Sequence, residues 1–396
     1  MNLQRRHFLL RGMFATFPLL AGANCASAQS ADRSADNHHA STPRVLLVLL
    51  RGGFDADSLL FQADNSFYHD ARPTIAIGRQ SGSASLQHVQ GPWFVHPAWS
   101  DLYGMIEKGE LAFAPFSGSG DNSRSHFAAQ DAMERGYVAD GKTLMTDGIA
   151  NRILQRLSHV NPDNRGGFYT AATPPVSSMG KHPFAGMGKV LSRPLRTDDD
   201  DAIIKALTRL YDDPDNVDRV SIARLLRGQA SSLLQQNSNA VPHGADDRPV
   251  RGIAGQFHKI GVLMKQAGPF SVAVTEINGW DTHAFQGNET GNLANRFSQL
   301  AMALSSFRMA VGDAWKHTHV AMMSEFGRTF RENGTRGTDH GHGSTLILAS
   351  GKPFEARVIG TTHEIAADTL HDGRDQPVLN TYLSLVDKHI LDQTRR

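Results

Sequence analysis

The residues Val45–Leu50 (VLLVLL) form an uninterrupted apolar run with a polar, glycine-containing turn directly behind it. Such a run is too short for a buried helix and has no polar face, so it reads as a strand covered on both sides in a parallel sheet. The pattern recurs along the chain. Leu111–Phe116, Phe270–Ile277, His319–Met323 and Thr345–Ser350 are further apolar runs, with Val358–Gly360 as a short last one. Amphipathic helical periodicity lies between them, in residues 93–110, in 127–136 and from Asn292 to about Trp315. A further amphipathic stretch, 379–391, follows the last run. Alternation of this kind predicts an α/β fold, a doubly wound and mostly parallel sheet with helices on both faces. From about 143 to 260 only amphipathic helical stretches stand out, so this span reads as a helical insertion in a single domain, 43–396. The acidic run Asp198–Asp201 inside it suits a solvated helix start.

Ligands in open α/β sheets bind beyond the carboxyl ends of the strands, and here those ends carry chemistry. The first run leads into Arg51-Gly52-Gly53-Phe54-Asp55-Ala56-Asp57-Ser58, where Asp55 or Ser58 also suits a helix N-cap. The second leads into a Gly/Ser-rich loop ending in Ser123-Arg124-Ser125-His126. Either serine can cap the helix that follows, or serve there as a nucleophile or anion contact. The third delivers Asp281 and His283, two residues apart and so on one side of an extended backbone. The fourth opens into Glu325, Gly327 and Arg328, then Asp339-His340-Gly341-His342. Carboxylates and imidazoles gathered among glycines are a ligand set for a divalent ion such as zinc, manganese or calcium, one ion rather than two. His342, past Gly341, suits a ligand, a hydrogen-bond donor behind one, or a substrate contact.

The amino-terminal end carries a different message. Arg5-Arg6 before an apolar stretch, with Ala26-Ser27-Ala28 behind it, is a twin-arginine export signal over residues 1–28, cleaved after Ala28. The expected partner is the twin-arginine machinery and the expected location the periplasm. Removing 28 of 396 residues leaves 368, without Cys25, and takes away three arginines, so the formal charge moves from +1 to −2. A near-neutral chain of that kind offers no basic footprint for nucleic acid, and no membrane span is expected in the mature form. Residues 29–42 are small and polar, a disordered linker by composition.

The motifs RGGFD, DNSRSHFAAQDAMERG, GWDTH, SEFGRT and TDHGHG occur in that order over most of the mature chain. In this combination the chain resembles the exported bacterial proteins grouped as domain of unknown function 1501, a family placed with the alkaline phosphatase and sulfatase superfamily. The resemblance implies an alkaline-phosphatase-like sheet with a one- or two-metal site. It further implies hydrolysis of small phosphate or sulfate esters, with Ser123 or Ser125 as nucleophile. Asp281-x-His283 resembles a shortened form of the D-x-x-x-H that supplies one metal site of that superfamily, and Gly337-Thr338-Asp339-His340 matches the G-T-D-H that completes it. Glu325 stands where a second site has aspartate, but Phe326 replaces its histidine and Arg51-Gly52-Gly53 replace the usual first aspartate, for which Asp55 could substitute. Arg51, Arg124 and Arg328 are the expected anion clamps. The other use of such a scaffold is non-catalytic, an exported binding or assembly protein.

Overall fold

The structure, a computed structural model, describes residues 42–78, 86–137, 141–160, 166–188, 191, 214–237, 251–266 and 270–391. The expected signal at 1–28, the expected linker apart from Thr42, and the acidic run Asp198–Asp201 lie outside them. Eleven strands occur among the described residues. They are β1 (Arg44–Arg51), β2 (Leu60–Phe61), β3 (Gln87–Gln90), β4 (Trp93–Val95), β5 (Leu111–Gly118), β6 (Gly167–Tyr169), β7 (Phe184–Gly186), β8 (Val272–Asn278), β9 (Thr318–Met323), β10 (Ser344–Ser350) and β11 (Asn380–Thr381). Eight of them form one sheet in the order β11-β5-β10-β9-β1-β8-β6-β7, and β2, β4 and β3 form a small antiparallel one.

The run VLLVLL becomes β1 at the centre of the large sheet, parallel to β8 on one side and β9 on the other. Its six apolar residues have no exposed surface. Alternate side chains serve opposite faces, as the pleat requires. Leu46, Val48 and Leu50 join Phe257, Ile260, Leu300 and Phe307 in one core cluster. Val45, Leu47 and Leu49 join Ile153, Leu157, Leu385 and Ile390 in the other. Helices Gly252–Lys265 and Asn292–Val311 therefore cover one face, and Ile149–Val160 with the carboxyl-terminal helix Tyr382–Val386 covers the other. Burying each large aliphatic side chain this way contributes about 1.5–3 kcal/mol.

Only β10 runs against its main-sheet neighbours, β5 and β9. The loop from Ser324 to Gly343 thus leaves the sheet and re-enters it at one edge, the edge where β1, β5 and β8 also end. Two expectations need correction. The span 143–260 is not a purely helical insertion, since β6 and β7 extend the main sheet from β8; strands of three residues leave no periodicity to read. Val358 makes a single parallel bridge to Phe113 rather than a strand. Among the described residues no helix is long and apolar enough to cross a membrane.

One buried group in this core titrates within reach of experiment. His319 on β9 is 2 % exposed, and its Nδ1 has no hydrogen-bond partner among the described residues. Burial, helped by Lys352 and His317, pulls its pKa down to about 4. The unfolded chain, with an ordinary imidazole near 6.5, takes the proton first. Stability from this group is therefore complete above about pH 6.5 and is lost as pH falls toward 4, by up to roughly 3 kcal/mol. Urea unfolding between pH 7 and 4 should show that slope, and His319→Leu should flatten it; equal slopes would mean other groups set the acid limit.

Candidate metal centre

Three segments far apart in sequence meet beyond the carboxyl edge of the sheet. After β8, Trp280 is buried edge-on against Phe54, with ring centroids 5.0 Å apart, which anchors Asp281 and His283 at the surface. Gly52, following β1, sits at φ +122°, and a Cβ there would lie 2.7 Å from the Asp281 nitrogen, so glycine is required for the two loops to touch. The Ser324–Gly343 loop closes on itself at a similar neck. A Cβ on Gly327 would stand 1.8 Å from the Gly343 carbonyl. Main-chain bonds Gly327→His342, Gly341→Gly327 and Thr329→Asp339, each 2.9 Å, seal it and hold His340 opposite Arg328. After β5, the loop enters the helix His126–Arg135, whose first residue is the third contributor.

His126, Asp281 and His340 each place one ligand atom within 4.8 Å of the others. His283 joins them, its Nε2 2.9 Å from Asp281 Oδ1 and 3.3 Å from His340 Nε2. The opposite nitrogen of each ring is held by an acceptor. His126 Nδ1 lies 2.9 Å from Glu325 Oε1, His283 Nδ1 2.7 Å from Asp339 Oδ1, and His340 Nδ1 3.2 Å from the Arg124 carbonyl. A proton fixed on Nδ1 leaves Nε2 with its lone pair turned inward, the tautomer a metal ligand needs. Phe326 backs the rings, its centroid 5.0 Å from His126 and 4.8 Å from His340.

Electrostatics keep the donors in ligating form. Burial works against the charge on Asp281, but the hydrogen bond and charge of Arg328 outweigh it and hold its pKa below the ordinary value. Asp339 is likewise lowered; burial opposes its charge, and bonds from His283 and Asn333 prevail. Burial lowers His340 and keeps its imidazole neutral. Three nitrogens and a carboxylate oxygen suit zinc or a similar transition ion. Calcium, which takes oxygen ligands, fits poorly.

The remaining candidates take other places. Asp55 does not substitute as a ligand, because both its oxygens are bound by Arg72, at 2.9 and 3.0 Å, and by Ser58 and Gln286. His342 turns to stack on His371, 4.7 Å away. Burial, then His371, lowers its pKa. Ser123 Oγ donates to Asp121 at 2.5 Å, while Ser125 stands at the N-cap of the helix without capping it. The three arginines expected to clamp an anion all face carboxylates. Arg51 pairs with Glu134 and Glu276, Arg124 with Asp375 and Asp372, and fully buried Arg328 with Asp281. Arg374 is bonded to Asp375 as well, so these four guanidinium groups stand among seven carboxylates: Glu134, Glu276, Asp281, Glu325, Asp339, Asp372 and Asp375. Carboxylates outnumber guanidinium groups there, a balance that favours a cation.

His126 was not singled out as a ligand from the sequence. Its signal was present in position: the first helical residue after a strand-end loop at the edge where the other donors lie.

These features define a class, a mixed α/β protein with a largely parallel sheet and a His/Asp/His cluster able to hold a metal at its carboxyl edge. The sequence model of the family described as "Protein of unknown function (DUF1501)" matches residues 116–389, and the chain belongs to that family. No curated protein matches the chain.

Proposed function

We propose that this protein is a metal-dependent hydrolase on an alkaline-phosphatase-like scaffold, with one zinc-class ion held by His126, Asp281, His283 and His340. The observation that carries the reading is the convergence of three Nε2 atoms on Asp281 while every Nδ1 is engaged from behind. A divalent ion bound there supplies Lewis acidity and lowers the pKa of a coordinated water. Glu325 orients His126, Asp339 orients His283, and Arg328 fixes Asp281. Phosphate or sulfate esters were the expected substrates, but no arginine named for the anion is uncommitted, so the hydrolase reading does not rest on them. A non-catalytic binding protein is the second reading, favoured by the commitment of the Ser123 hydroxyl to Asp121.

Elemental analysis of purified, dialysed protein should give about one equivalent of a transition ion, removable by chelator. Metal at trace level only would sink the proposal. A full equivalent without turnover of any ester would favour the binding reading.

Periplasmic export by the twin-arginine route belongs to the same proposal, on the Arg5-Arg6 and Ala26-Ser27-Ala28 signals. Replacing Arg5 and Arg6 by lysine should leave precursor in the cytoplasm, as cell fractionation would show; normal periplasmic accumulation would point to the general secretory route.

A further inference from the structure

Two aromatic side chains that neighbour cluster residues in the chain are left in water. Phe127 follows His126 directly and is 89 % exposed, and Phe285, two residues beyond His283, is 68 % exposed. Leaving a phenyl group in solvent forgoes roughly 1.5–3 kcal/mol of burial. Phe285 carries a second cost. Its φ is +47°, in the left-handed region that a bulky residue occupies at about 1–2 kcal/mol. The loop enforces that conformation from both sides. Phe285 N donates to the Thr335 carbonyl at 2.9 Å and Gln286 N to that of Arg336 at 3.0 Å. The His283 carbonyl accepts from Thr335 Oγ1 at 2.7 Å and from Asn333 Nδ2 at 2.8 Å. One set of bonds thus fixes the backbone both at a candidate ligand and at the exposed aromatic residue two positions on.

Charge points the same way. Carboxylates outnumber guanidinium groups around the cluster, and Arg51, Arg124 and Arg328 are already paired. A phosphate monoester brought to this edge would find Arg51, Arg124 and Arg328 engaged and would stand near exposed Asp339 and Asp372. An uncharged group meets no such penalty, and an apolar body on it could cover the phenyl rings.

Resting on the hydrolase reading above, we infer that the centre takes an uncharged substrate with an aromatic or acyl body, a carboxylic ester, which packs on Phe127 and Phe285 while its carbonyl faces the cluster. Hydrolysis of such an ester adds water across the acyl C–O bond and yields a carboxylate, an alcohol and one proton, with no other reactant.

The test compares 1-naphthyl acetate and p-nitrophenyl butyrate with p-nitrophenyl phosphate and p-nitrophenyl sulfate on the metal-loaded full chain. The carboxylic esters should show a kcat/KM higher by about tenfold or more. The Phe127→Ala/Phe285→Ala pair should lower it by about tenfold, mainly through KM, with metal content unchanged; tenfold corresponds to the modest burial of one ring. Preference for phosphate or sulfate, or an unaltered double variant, would overturn the inference. If nothing is turned over, calorimetry with two metal-binding probes, benzohydroxamate and acetohydroxamate, separates the claims. Tighter binding of the aryl probe, lost in the double variant, upholds the apolar subsite while the hydrolase reading falls. Equal binding, or none, removes the subsite as well.

Discussion

Replacing His340 by alanine is expected to weaken binding of the divalent ion by more than about 100-fold. The change removes one of the four proposed donors, and loss of a group merely behind a ligand already costs about 10–100-fold. Glu325→Gln should fall in that smaller range, because Glu325 touches the ion only through His126, at 2.9 Å. The parent and Glu325→Gln should bind less well as pH falls, since a protonated imidazole cannot ligate. The sign follows from competition between proton and metal for the same lone pair. Burial lowers the His340 pKa and so keeps that ring available further into acid than an ordinary imidazole. Titration against a chromogenic chelator measures the affinities. A His340→Ala protein with the parent's metal content after dialysis would show that the donors lie elsewhere.

The second large effect concerns stability. Arg72 and Asp55 are both without exposed surface and share a two-point ion pair. Arg72 also donates to the Phe330 and Thr329 carbonyls, at 2.7 and 3.2 Å, tying the first strand-end loop to the Ser324–Gly343 loop. Arg72→Met should cost about 3–5 kcal/mol, because it leaves Asp55 charged and uncompensated in the interior. Burial opposes the charge on Asp55, but Arg72 overrides it and holds the pKa below the ordinary carboxylate range. Without the arginine that balance reverses. The loss extends toward the metal cluster, since Gln286 bridges Asp55 to Thr338, and Thr338 accepts from Arg328, which holds Asp281. Urea unfolding of Arg72→Met against the Arg72→Met/Asp55→Leu pair tests the cause. The double variant should regain a substantial part of the loss, and a single-variant loss below about 1 kcal/mol would contradict a buried pair.

Strands β1, β5, β8, β9 and β10 were legible because each centres on a short, mostly apolar and β-rich run bounded by turn residues. Strands β6 and β7 were not, since Gly-Phe-Tyr and Phe-Ala-Gly are held by their neighbours' pairing and carry no local signal. Asp281 and His340, which the structure brings within 4.8 Å of His126, were legible because residue type and strand-end position agreed, whereas Asp339 and Glu325, expected as ligands, stand behind His283 and His126. His126 was passed over because its partners lie far off in sequence; the one that holds it, Glu325, is 199 residues away. Nothing local could show that Asp55 faces Arg72 instead of the cluster, or that Arg51 and Arg124 are matched to acids. Pairing of charges is decided by which loops the sheet brings together.

The central position of β1 bears on where this protein can be cut. The family match begins at residue 116 and ends at 389, a span that contains every donor of the cluster. It omits Arg44–Arg51, the strand to which β8 and β9 both bond. It also omits Gly52, whose amide donates to Glu325 at 2.8 Å, and Arg72. A fragment trimmed to the matched region would keep all the ligands while exposing the facing edges of β8 and β9, two rows of unpaired peptide groups with apolar sides. The boundaries of the family and of the folding unit are therefore different, and only a chain that starts before Arg44 holds the whole of the second.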